Sequence, residues 1–234
     1  MRRGTGFDCG NYPGDAALTA WAAEGTYQFV GYYLPAPCHD AAFTSWTGKA
    51  AFIAGLGFGF AVVYVGLQQT GCGAAHVSND TGVEHGRDAI DKCRAESFPN
   101  GTVVFLDVEH FDGTLALAME GYVRGRISAM LDDGSMQPGL YCANENANEL
   151  LAAAQPEYDA RELPGRPAFW IVSIGSPVFM IGTSTPDQSG VPFADVWQGH
   201  INTTEQHGGV ELRIDQNVTT SSDPSAVRSG FVGT

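Results

Sequence analysis

The chain has 234 residues, a formal net charge of −14, and 44% hydrophobic residues, of which a quarter are aromatic at 11% of the chain. That length buries a substantial core without needing a metal or disulfide to fold, and the hydrophobic content excludes disorder. The acidity excludes nucleic acid and anionic membrane surfaces as partners, since both require a basic footprint, and leaves neutral or partly cationic polymers. No apolar run approaches the roughly 20 residues of a membrane span; the longest, Phe58–Val65, has strand length.

In chain order the pattern alternates between short apolar strands and helices. Thr5–Cys9 is expected as a strand, and Asp15–Ala23 as a helix with Asp15 as N-cap. Tyr27–Leu34 is an aromatic and valine-rich strand, and Ser45–Gly57 a helix capped by Ser45 and closed by Gly57. Phe58–Val65 is a strand, Thr81–Ser97 a polar-faced helix, and Thr102–Val108 an almost wholly apolar strand of the kind covered on both faces. Leu115–Leu131 is a helix, Pro138–Cys142 a strand, and Glu145–Ala154 a helix stopped before Pro156. Ala168–Ile174, Val196–Ile201 and Leu212–Gln216 complete the series as strands joined by Gly, Pro and Thr-rich loops. Five βα units followed by three strands predict an α/β fold around a parallel sheet, closed as one TIM-like barrel over residues 1–234. An open doubly wound sheet is the alternative, but it calls for a Gly-rich phosphate turn after an early strand. Gly55-Leu56-Gly57-Phe58-Gly59 precedes a strand instead.

Functional residues of a parallel barrel gather at the C-terminal ends of its strands. Asp8 ends the first strand, Asp107 and Glu109 the fourth, and Asp215 the eighth, so four acids are expected around one mouth. Asp107 and Glu109 lie two apart and project to one face, which turns Val104, Leu106 and Val108 outward. Two carboxylates held this close cannot both ionise easily, so one retains its proton toward neutral pH. Such an acid can protonate a glycosidic oxygen while its partner supports the developing cation. A divalent metal held by the same acids is a rival reading.

The five cysteines, Cys9, Cys38, Cys72, Cys93 and Cys142, show no zinc-ligand spacing, and neither metal nor cofactor is expected. Two disulfides plus one spare thiol fit an oxidising compartment, with Cys9–Cys38 and Cys72–Cys93 as the expected pairs. Asn79, Asn100, Asn202 and Asn217 each begin an N-x-S/T sequon, four of eight asparagines, which points to a secreted or cell-surface glycoprotein. The N-terminus Met1-Arg2-Arg3-Gly4 has no apolar signal region, so either the protein is cytosolic or Met1 replaces a removed leader; the cysteines and sequons favour the second.

Phe7-Asp8, Phe105-Leu106-Asp107-Val108-Glu109, Gly139-Leu140-Tyr141, Phe169-Trp170-Ile171, Trp197-Gln198 and Ile214-Asp215-Gln216-Asn217 follow the order of glycoside hydrolase family 25 lysozymes, which this chain resembles. A closer resemblance is to the related glycoside hydrolase-like family, domain of unknown function 1906, known from secreted actinobacterial proteins. It is carried by Phe7-Asp8, by Tyr64-Val65-Gly66-Leu67-Gln68 followed by Cys72, and by Gly208-Gly209-Val210 leading into Ile214-Asp215. The resemblance implies a (β/α)5β3 barrel acting on β-1,4 bonds of peptidoglycan or a related N-acetylated glycan. It implies Glu109 as general acid, Asp107 as its partner orienting the N-acetyl group or stabilising the cation, and Asp8 and Asp215 completing the mouth. Tyr64, Tyr141, Gln198, Trp197 and Asn217 fall at positions implied to line the sugar groove, and a monomer is expected. Two aromatics of the lysozyme pattern are replaced here by Ile174 and Gly199. Because sugars stack on aromatic faces, a non-catalytic glycan-binding or surface protein on the same barrel is the alternative function. Trp170 sits in a strand where core packing is the commoner role, and His110 beside Glu109 and Asn144–Asn148 at a helix start are further residues of interest.

Overall fold

The structure, a computed structural model, describes residues 4–38, 43–109, 111–175 and 178–226. Eight strands close into one barrel in sequence order: β1 (Gly4–Asp8), β2 (Phe29–Tyr33), β3 (Gly59–Val65), β4 (Val103–Asp107), β5 (Gln137–Ala143), β6 (Ala168–Val172), β7 (Val196–His207) and β8 (Val210–Thr219). Neighbours are parallel from β1 through β7; β8 runs antiparallel to both β7 and β1 and closes the ring. Helices α1 (Asp15–Glu24), α2 (Ala50–Gly55), α3 (Asn79–Ala95), α4 (Leu117–Asp133) and α5 (Ala147–Asp159) follow the first five strands. The expected (β/α)5β3 architecture is therefore present.

The period of two in each strand sorts its side chains. Phe29, Ala61, Val63, Val103, Phe105, Ala168, Trp170 and Val196 pack together inside the barrel. Their neighbours Phe7, Val30, Val62, Tyr64, Val104, Leu106, Val108, Leu140 and Ile171 face outward into the larger core beneath the helices. With apolar residues required on both faces, the strands show the unbroken hydrophobic runs of covered parallel sheets.

Several local expectations change. Asp15 is the first residue of α1 rather than its cap: Gly14 occupies the cap position without a side-chain bond. The Asp15 carboxylate instead accepts from Tyr12 Oη and Lys49 Nζ. Ser45 is not the cap of α2, whose cap position is held by Lys49; it lies in a 3-10 turn, and its hydroxyl accepts the Tyr12 N–H, leaving α2 shorter than expected. Helix α3 starts two residues early because Ser78 and Thr81 form a reciprocal capping box. Helix α5 runs through Pro156. Ala152, whose carbonyl loses its helical partner there, lies on the same exposed face as Pro156, so water can take the bond, while buried Tyr158 anchors the last turn.

The disulfide pairing is also corrected. Cys38 is joined to Cys72, tying the segment after β2 to the loop after β3, while Cys9, Cys93 and Cys142 are free thiols. Cys93 lies on α3 and Cys142 on β5, both buried in the outer core, where neither meets a second thiol.

Candidate active site

The C-terminal ends of β1 and β4 bring acids to one mouth. Asp215 joins them from the middle of β8, not from the strand end where it was expected, because β8 runs antiparallel and extends to Thr219 at the opposite end of the barrel. Asp8 and Asp215 are register partners across the β1–β8 seam, and Asp107 ends β4 on the inward side. Tyr141 stands beside Asp107 as its register partner on β5, edge-on to Trp170 at 5.2 Å. Burial pushes the Tyr141 phenol well up, and the charges of Asp107, Asp8, Asp215 and Glu109 all push it the same way. All four acids thus act on one inward-facing hydroxyl.

Each acid has a different environment. Asp8 is almost fully buried; Tyr33 Oη donates to its Oδ1 at 2.7 Å and Asn217 Nδ2 to its Oδ2 at 2.7 Å. Room for this carboxyl beside β2 comes from Gly31, where a Cβ would fall 2.3 Å from the Asp8 Cβ. Burial and the charge of Asp215 raise Asp8 to about 7, despite those two donors. Asp107 is buried too, and among the described residues its Oδ1 has no hydrogen-bond partner. Burial, then the charges of Glu109 and Asp8, hold it well above the usual carboxylate range. Asp215 accepts the Asn202 N–H at 2.6 Å and Gln198 Nε2 at 2.8 Å; it too is raised by burial, against the pull of those donors and Arg213. Glu109 is the exposed member, two residues beyond the strand end. Among the described residues, no group of three His, Cys, Asp or Glu side chains is placed to share a metal ion.

Of the five residues expected to line the groove, Tyr141 stands beside Asp107 and Gln198 bonds Asp215, while Asn217 lies one layer deeper, level with Gly6. Tyr64 and Trp197 face away from the interior. Tyr64 sits between the inward Val63 and Val65, so it points out to α3, where its Oη donates to Asp88. Trp197 likewise faces outward, fully buried, with its Nε1 donating to the Ser173 carbonyl. Asn217 is fully buried, accepting from Trp170 Nε1 at 2.8 Å while its Nδ2 donates to Asp8. Its carboxamide is therefore occupied and enclosed, and the folded chain has no place for a glycan on that sequon.

The two lost aromatics have different fates. Ile174 is half exposed beyond β6. At Gly199 a Cβ would lie 2.0 Å from the Phe179 ring, which packs edge-on against Trp197 and His200 in the space a larger residue would need. Tyr33 and Gln68 were not among the expected site residues. Tyr33 carries the inward parity of Phe29, four residues earlier, which is a readable signal; Gln68 comes from a loop and has none. Asn146 does not cap α5; it exchanges two hydrogen bonds with the Phe111 backbone and steadies the loop after β4. His110 lies outside the described residues.

Solved structures of the same fold carry this arrangement of strands and helices. The spore cortex lytic enzyme SleM of Clostridium perfringens superposes with a TM-score of 0.62 at 15% identity, over 93% of this chain and 67% of that one. The modular autolysin LytC of Streptococcus pneumoniae, solved with a synthetic peptidoglycan ligand, gives 0.60 at 11% identity, over 92% of this chain and 46% of that one. The Tat-secreted protein Rv2525c of Mycobacterium tuberculosis gives 0.54 at 16% identity, over 94% and 96%. At these identities the likeness establishes the fold. No curated protein sequence matches the chain. Residues 19–219 match the profile of one family, spanning the barrel from within α1 to the end of β8. With its barrel complete and most of its length matched, the chain belongs to the Rv2525c-like, glycoside hydrolase-like domain family.

Proposed function

We propose that this protein is a secreted glycoside hydrolase of lysozyme (N-acetylmuramidase) type, cleaving β-1,4 bonds of peptidoglycan or a related N-acetylated glycan. The observation that supports the reading is the strand register, which sets Asp8 beside Asp215 across the β1–β8 seam and Tyr141 beside Asp107, with Glu109 two residues further along the same chain. Glu109, exposed at the rim, is the general acid that reaches the glycosidic oxygen. Asp107, two residues before it, keeps its proton through burial, and among the described residues its Oδ1 is unpartnered, leaving it free to meet a sugar. That carboxyl can donate to an N-acetyl carbonyl, and its ionisation near a forming oxocarbenium ion would stabilise the charge. Asp8 and Asp215, register partners across the β1–β8 seam, are both raised by burial, so the mouth gains negative charge as pH rises toward 7.

The expected products define the bond. Peptidoglycan digested by the wild-type chain, reduced with borohydride and analysed by mass spectrometry, is expected to show N-acetylmuramic acid at the new reducing ends. Reducing N-acetylglucosamine would overturn the bond assignment. The second reading, a glycan-binding protein without turnover, draws on the half-exposed Ile174 and on Phe179 filling the space above Gly199. It expects saturable glycan binding with no new ends.

A further inference from the structure

The acidic mouth gives no role to the stretch Tyr64-Val65-Gly66-Leu67-Gln68 with Cys72 beyond it, since Tyr64 faces α3. The loop after β3 nevertheless grips the chain that carries the acids. The last register pair between β3 and β4 is Val65 with Asp107; past that point β3 no longer pairs with the backbone that carries Glu109. Val108 N–H turns the other way and donates to the Tyr141 carbonyl on β5 at 3.0 Å. Glu109 N–H donates to Gln68 Oε1 at 2.9 Å, while Gln68 Nε2 donates to the Asp107 carbonyl at 3.1 Å. One carboxamide thus spans the step from the buried acid to the exposed one. The next residue repeats the device further along: Gln69 accepts the Ala116 N–H and donates to the Thr114 carbonyl.

The loop is itself held. Gln68 N–H donates to the Cys72 carbonyl at 3.0 Å, and Cys72 is bonded to Cys38. Gln68 Nε2 also reaches the Gly66 carbonyl, which fixes its rotamer. A carboxamide offers both the donor and the acceptor this bridge uses.

We propose that Gln68 is a positioning residue for Glu109, and that the Cys38–Cys72 disulfide anchors the loop from which it acts. The inference rests on the reading of Glu109 as general acid, so the test uses one readout that depends on turnover and one that does not. Full-length Gln68→Met and Gln68→Glu are compared with wild type by amide hydrogen exchange and by steady-state kinetics on peptidoglycan fragments. In Gln68→Met the Glu109 amide is expected to exchange about fivefold faster or more, the loss of one hydrogen bond, with Val108 unchanged as internal control. A misplaced acid is expected to lower kcat by about ten- to a hundredfold with KM close to wild type. Gln68→Glu keeps the acceptor for Glu109 N–H, so protection persists, but its charge beside two carboxyls moves the pH–rate profile upward. A Cys38→Ser, Cys72→Ser double variant is expected to change exchange and kcat in the same direction as Gln68→Met, by less. The proposal is overturned by unchanged Glu109 exchange in Gln68→Met, by equal loss of protection at Val108, or by wild-type kcat once protection is lost. Should wild type release no glycan ends, the hydrolase reading falls while the exchange comparison still decides whether Gln68 holds Glu109.

Discussion

Asp8 is enclosed between Tyr33 and Asn217, yet burial and the charge of Asp215 shift it from 3.8 to about 7. A carboxyl raised on folding binds its proton more tightly in the native state, so its stabilising contribution is complete below pH 4 and is lost as pH climbs to about 7. Relative to wild type, Asp8→Asn is therefore expected to gain stability across that window, on the order of a few kcal/mol, because the ionisation cost disappears. Urea titrations at pH 4 and pH 8 measure this; a difference between the two proteins that is the same at both pH values would contradict it. Asn217 opposes the shift through its hydrogen bond, so Asn217→Ala is expected to raise the Asp8 midpoint further in a carboxyl 13C NMR titration. A fall in that midpoint would mean that the carboxamide does not stabilise the Asp8 anion. At this scale the sequence was informative where parity alone decides direction. Asp8 and Asp107 end strands on inward positions, Asp215 has the same parity within β8 though it does not end it, and Tyr141 and Gln198 share that parity. Tyr64 and Trp197 sit one residue out of phase, and a one-residue offset turns a side chain through the wall. Asn217 has the right parity but lies deep enough to serve Asp8 rather than a ligand, and depth along the barrel axis leaves no mark in a periodic pattern.

Helices α3 and α4 make a close pair because glycines let their backbones meet. A Cβ on Gly125 would lie 2.2 Å from the Asn79 carbonyl oxygen, and one on Gly82 would lie 2.1 Å from that of Tyr122. In an isolated helix Gly→Ala is favourable; here overpacking against rigid backbone outweighs it, and Gly125→Ala is expected to destabilise by about 2 kcal/mol. An increase in Tm for that variant would show that the helices can separate freely. The β7–β8 hairpin is fastened to α1 by another contact. Although burial alone would lower it, His207 is held above its ordinary value by hydrogen bonds to Glu24 and Glu205. A raised histidine stabilises fully below its unfolded value near 6.5 and loses that contribution as pH rises through the folded one. His207→Gln is accordingly expected to lower Tm more at pH 5.5 than at pH 9; equal losses would deny the charged latch. Element order and type were legible because each strand is an apolar run and each helix has polar punctuation. Ends were less so: Ser45, Asp15 and Pro156 carry strong local signals, and each was overridden by a contact or an exposure that a single segment does not display.

For the molecule as a whole, barrel closure follows from eight strands and a final antiparallel turn, and the order of the elements already conveyed it. Disulfide pairing did not follow, because it depends on which two loops meet at the rim: Cys38 and Cys72 do, 34 residues apart. Closing a loop of that length contributes about 3–4 kcal/mol in the chain-entropy description. The net charge of −14 and four acids at one mouth favour a substrate without clustered negative charge there. The central claim is that this mouth breaks glycosidic bonds with Glu109 as the acid. It is tested most directly by the rate of reducing-end release from purified cell walls, wild type against Glu109→Gln, with both proteins shown to be folded. The expected result is release by wild type and a loss of about a hundredfold or more in the variant; equal rates in the two proteins, release or none, would contradict it.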